Sequence, residues 1–130
     1  MAIEGVVYEK REPDHVDQRR TLSSLFNGDL GTFVAKQIKF ADVKEDSVLG
    51  GHYHLYRELF CVLEGEIIFE LEDIMSKEKR KCPLTPGHRL LIPPNVAHRA
   101  TAKGNTLLVG CTEEPYISSE HNDHKYNLSD

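Results

Sequence analysis

The stretch GGHYHLYRELFCVLEG, residues Gly50 to Gly65, decides how the chain is read. His52 and His54 stand one residue apart, Glu58 follows, and an apolar run leads to Gly65. On a strand, side-chain alternation puts both imidazoles on one face and Tyr53 on the other. A carboxylate at the mouth of the next strand can point into the same space. Imidazole nitrogens and a carboxylate oxygen together suit Zn, Fe, Mn, Ni or Cu.

Outward from this stretch the chain is rich in short strand patterns and poor in helical periodicity. ELFCVLEG and EIIFELED are β-rich runs joined by a tight turn at Glu64-Gly65. RLLIPP is a short strand closed by two prolines, which cannot continue a ladder. HRATA and NTLLVGCTEE are further strands around the turn KGN, and TPGH is another turn. Between Thr32 and Val43 the pattern alternates as in a half-buried strand, with Val34, Ile38 and Phe40 on one face and Lys39 on the other. TLSSLF, residues 21–26, fits either a helical turn or a short strand. The charged centre Lys77 to Lys81 is expected to be a solvated hairpin tip. The total is about eight strands at the spacing of an all-β sandwich or barrel.

The segments before Thr21 and after Pro115 read as arms, which in small β proteins cover sheet edges or pair with a second subunit. The final tail reads as polar and weakly structured, with His121 and His124 solvated.

Size and composition narrow the function classes. A chain of 130 residues is expected to form one domain, residues 1–130, with a modest core that needs no disulfides. Net charge is −5 and no basic block occurs, so nucleic acid is not an expected partner. No apolar stretch is long enough to span a membrane, and the first residues carry no secretory h-region, so a cytoplasmic location is expected. Cys61, Cys82 and Cys111 are odd in number and lack short spacing, which argues against a disulfide framework.

A second block, PGHRLLIPPNVAHRA, completes the pattern: Gly87, then Pro93, then His98. The two blocks resemble the two motifs of the cupin superfamily. His52, His54, Glu58 and Gly65 fit the first motif in full; Gly87, Pro93 and His98 fit the second. Asn95 stands where Gly is usual, and Asn also tolerates positive φ. Ala102 stands where Asn is usual. The motif core spans about residues 50–101. The resemblance implies a double-stranded β-helix, the jelly-roll barrel, with His52, His54, Glu58 and His98 holding one divalent metal ion inside it.

The chain also resembles the RmlC-like sugar-nucleotide cupins, through Asp17 and Arg19 ahead of the barrel and through the tail EEPYISSEHNDHKY. Leu49, Gly50 and Gly51 stand where those relatives commonly carry an Arg-Gly pair before the first motif histidine. The resemblance implies a small polar metabolite, such as a sugar or sugar derivative, in the barrel. Metal-assisted isomerisation or epimerisation is then the expected chemistry. An iron-dependent dioxygenase and a non-catalytic binding or sensing module are the competing classes. A homodimer is expected from the arms and from cupin habit.

Other residues draw local readings. His88, after a turn glycine, is expected at the barrel rim. Arg57 and Arg99 flank the candidate ligands and should point away from them by alternation. Tyr53 and Tyr56 read as packing or interface residues. Phe60, Val62, Ile68 and Leu91 either line a cavity or fill it.

Overall fold

The computed structural model describes residues 3–129. Two antiparallel five-stranded sheets face one another in a jelly-roll-like sandwich, and the all-β expectation holds. The strands are β1 (Val7–Lys10), β2 (His15–Val16), β3 (Thr21–Leu22), β4 (Gln37–Val43), β5 (Val48–Tyr53), β6 (Glu58–Glu64), β7 (Ile67–Asp73), β8 (Lys79–Leu84), β9 (His88–Ile92), β10 (Val96–Ala102), β11 (Thr106–Thr112) and β12 (His124–Lys125). One short helix, α1 (Ser119–Asn122), precedes β12.

The first sheet runs β1-β9-β6-β11-β4 and the second β12-β5-β10-β7-β8, while β2 and β3 make a separate small ribbon. Both arms therefore do what short arms do in β proteins. The leading β1 pairs with β9, and the trailing β12 pairs with β5, each closing an edge.

Alternation explains the core. Phe60 and Val62 of β6, Phe69 and Leu71 of β7, and Leu90 and Ile92 of β9 point between the sheets with Leu84 and Leu108. Burying each such side chain contributes about 1.5–3 kcal/mol. The intervening residues Leu59, Leu91 and Cys111 point outward, yet they too are buried. Leu25, Phe26, Leu30 and Phe33 of the segment leading to β4 lie across them. That segment is pinned by Arg89, whose guanidinium donates to both oxygens of Asp29 and to Glu9.

Three expectations change, and one left open is decided: the β4 face with Ile38 and Phe40 is outside, 61% and 77% exposed, and Lys39 is the residue on the inner face. β4 is an edge strand, and alternation gives the period of a strand without saying which face is inside. Val34 lies before β4, in an irregular segment, and is also exposed. The charged centre is only partly a tip, because Lys79 to Lys81 belong to β8 and pair with β7. The C-terminal tail is not loose. It forms α1 and β12, buries Asn122, and stacks His124 on Tyr53.

Candidate metal centre

The site begins with a backbone irregularity. β5 and β10 pair from Val48 and Thr101 up to His52 and His98, with a register shift between His98 and Arg99. The shift leaves Gly51 without a partner in that ladder, and beside it Gly50, paired with Arg99, has φ 90 and no room for a side chain: a Cβ there would lie 2.6 Å from the His98 carbonyl oxygen. Only glycine allows that approach. The shift sets His52 directly opposite His98, their rings 4.7 Å apart and nearly perpendicular.

His54 follows just past β5, with its ring 4.7 Å from His52 and 5.5 Å from His98. The three imidazoles offer nitrogens that all lie within 4.8 Å of one another. Glu58 opens β6 and is 2% exposed. Its Oε1 stands 2.9 Å from His54 Nε2 and 3.6 Å from His98 Nε2, and its Oε2 accepts from Lys39 Nζ at 3.4 Å. The structure thus brings together His52, His54, Glu58 and His98, which the sequence singled out from two separate blocks.

The ring of His54 is held from behind. Nδ1 lies 2.7 Å from the backbone carbonyl of Asn122, an oxygen that can only accept, so Nδ1 carries the proton. Tyr56 stacks on the same ring. Asn122 is fixed in turn: its Oδ1 accepts from the Ile117 and Ser118 N–H groups, and its Nδ2 donates to the Tyr56 hydroxyl and the Pro115 carbonyl. Imidazoles that bind metals commonly use one nitrogen in this way and present the other.

The consequence is an unresolved pair of acceptors. Neutral His54 presents the Nε2 lone pair toward Glu58 Oε1, and Oε1, buried, has no hydrogen-bond partner. His98 Nδ1 is likewise buried without one. Two acceptors at 2.9 Å require positive charge between or beside them, either a proton on His54 or a cation.

The electrostatics fit a cation. Burial holds His98 far below the ordinary imidazole range, against the pull of Glu58. Burial also lowers His52, helped by the charge of His54. Burial would raise Glu58, but its contact with His54 and the charges of His98, His54 and Lys39 outweigh that and keep it ionised. His54 alone is raised: burial lowers it, and Glu58 more than reverses this. Neutral His52 and His98 and an ionised Glu58 are the protonation states that metal ligation needs, and the raised His54 is the imidazole whose proton a metal would displace.

A cavity of about 230 Å³ opens beside these groups. Lys39, His52, Glu58 and His98 supply its polar wall; Phe60 and Phe69 supply much of the rest. A family model described as "Cupin domain" matches residues 40–109, which include both motif blocks. This chain belongs to the cupin family. Solved cupin-like structures superpose on it closely. A sugar 3,4-ketoisomerase, QdtA, from Thermoanaerobacterium thermosaccharolyticum has a TM-score of 0.76 at 20% identity, over 89% of this chain and 85% of that one. The dTDP-4-dehydrorhamnose 3,5-epimerase from Sulfolobus tokodaii gives 0.81 at 19% identity, over 92% and 76%. The TDP-quinovose 3,4-ketoisomerase WlaRB from Campylobacter jejuni gives 0.81 at 18% identity, over 95% of both chains. No curated protein matches this cupin in sequence.

The remaining candidates lie elsewhere. His88 stacks on Tyr8, away from the cavity. Arg57 pairs with Glu113 and Arg99 with Glu70, both outside the barrel, as alternation implies. Of the four residues left open between cavity lining and filling, Phe60 lines the cavity and Leu91 packs under the outer segment. Two residues beside the site escaped the sequence reading, Lys39 and Asn122. Gly110, opposite Lys39 in the ladder, was the available signal for the first, because a glycine inside an apolar strand marks a close approach.

Proposed function

We propose that this cupin holds a divalent metal ion through His52, His54, Glu58 and His98, and that it isomerises or epimerises a small polar carbonyl metabolite such as a sugar derivative. The observation that carries the metal half is the convergence of three imidazoles, whose nitrogens lie within 4.8 Å of one another, on the buried Glu58 carboxylate, 2.9 Å from His54 Nε2 and 3.6 Å from His98 Nε2. The reaction half draws on the superposed ketoisomerases and epimerases. When bound, a divalent ion supplies Lewis acidity, which acidifies the C–H beside a carbonyl and stabilises negative charge developing on oxygen. The protein does the rest. Phe60 and Phe69 exclude water from one wall, and the bulge beside Gly50 fixes the angle between His52 and His98.

Elemental analysis of the purified protein tests the first half. About one equivalent of a divalent metal is expected, and its absence after supplementation removes the proposal. Incorporation of solvent deuterium into candidate keto-sugars tests the second half. Tight binding without exchange marks a binding module instead.

The protein also pairs with itself in this reading. Ile38, Phe40, Leu63 and Leu107 leave an apolar strip exposed on the outer face and edge of the first sheet. Such strips mark contact surfaces. Light scattering at micromolar concentration should report twice the chain mass, and Phe40→Lys should return it to one.

A further inference from the structure

Lys39 is placed in the barrel by a feature that serves no backbone need. Gly110 lies inside β11, opposite Lys39 on one side and Phe60 on the other. It is not among the positive-φ glycines. A Cβ on it would lie 3.1 Å from Lys39 Cε and 2.9 Å from Phe60 Cε1. The missing side chain therefore makes room for the lysine stem to cross the inner face of the sheet.

The ammonium ends 3.4 Å from Glu58 Oε2, its hydrogen-bond partner among the described residues, while the side chain remains 46% exposed. A lysine has three donors, so two remain beyond Glu58 for water or a ligand. A counter-charge for Glu58 alone would use the lysine incompletely. The other cavity groups, apart from His52, Glu58 and His98, are apolar side chains or glycine.

We infer that the cavity takes a small organic acid, and that Lys39 binds its carboxylate. This deepens the proposed function and rests on it for the cavity being the ligand site. Polarity agrees: among the described residues that line the cavity, Lys39 is the one lysine or arginine, and apart from the ligand-type groups it is set among apolar side chains and glycine. Size agrees as well: about 230 Å³ lies below the about 300–1,000 Å³ usual for drug-sized ligands, which favours a compact acid over a nucleotide sugar. One lysine suits a monoanionic carboxylate better than a phosphate ester, whose three oxygens call for several donors.

The test is calorimetric titration of the metal-free and metal-loaded protein. The probes are pyruvate and D-gluconate, their neutral counterparts pyruvamide and D-glucose, and inorganic phosphate. At least one acid should bind at least about tenfold more tightly than its neutral counterpart. Lys39→Gln should abolish that preference, and Lys39→Arg should keep most of it. Equal affinity for acid and neutral partner overturns the inference, as does a preference that survives Lys39→Gln, tighter binding of phosphate, or no binding of any probe. The acid-against-neutral comparison uses the unaltered protein and stands if a variant fails to fold. Loss of metal binding would sink the metal proposal alone, because the lysine dependence is also read in metal-free protein.

Discussion

His54 Nε2 stands 2.9 Å from Glu58 Oε1 while the opposite nitrogen of the same ring donates its proton to Asn122. One ring is thus committed on both sides, and only positive charge reconciles it with Glu58.

Replacing the acceptor by a donor should separate fold from metal. In Glu58→Gln the amide N–H₂ can donate to Nε2. Without metal, the variant should melt no lower than the parent, because a buried unsatisfied group costs about 1–3 kcal/mol. The parent should gain about 2.7 kcal/mol when free metal is a hundredfold above Kd, and Glu58→Gln should gain little. Thermal melts with and without a chelator measure both.

Gly50→Ala should harm the site more than its size implies. The new Cβ meets a backbone oxygen at 2.6 Å and sits at φ 90. A non-glycine residue in such a conformation costs about 1–3 kcal/mol, and relief comes only by undoing the register that opposes His52 to His98. Denaturant melts should show the loss, and competition with a chelating dye should show weaker metal binding.

Asn122→Ala removes the hydrogen bonds that fix the turn carrying the His54 acceptor. The expected result is metal affinity reduced about 10–100-fold with the barrel intact. Proton NMR gives a readout independent of affinity: the His54 Nδ1–H resonance, sheltered in the parent, should exchange rapidly in the variant.

Acid should loosen the outer segment before the barrel. Asp29 is held well below its ordinary value of 3.8, first by its hydrogen bond from Arg89 and then by the Asn27 N–H. A depressed carboxylate contributes stability that is present above its unfolded pKa and is lost as pH falls through the folded one. The contribution should therefore be full at neutral pH and fade below about pH 4. Because the Asp29 carboxylate is exposed while Arg89 is buried, salt should weaken the pair only in part. Asp29→Asn should flatten the low-pH limb of the stability curve.

The meeting of His52 and His54 was legible because alternation puts both on one face of a strand, and the addition of Glu58 and His98 was legible through the cupin motif spacing that the two blocks resemble. Asn95 shows the same legibility, since it adopts the φ of 64 expected where the family keeps glycine. Lys39 was not legible. An edge strand with apolar residues on one face reads as facing inward, but here that face is the exposed strip. Asn122 was hidden for another reason. Its contribution is a main-chain carbonyl brought from far along the chain, and no side-chain pattern announces a carbonyl.

The docking of Asn122 also sets an order of assembly. During synthesis the barrel strands through β11 emerge before residue 122 does, so the sandwich can close while the His54 ring is still unrestrained. The orientation of the His54 ring is then fixed after the strands through β11 have paired, because the carbonyl that holds its Nδ1 comes from residue 122.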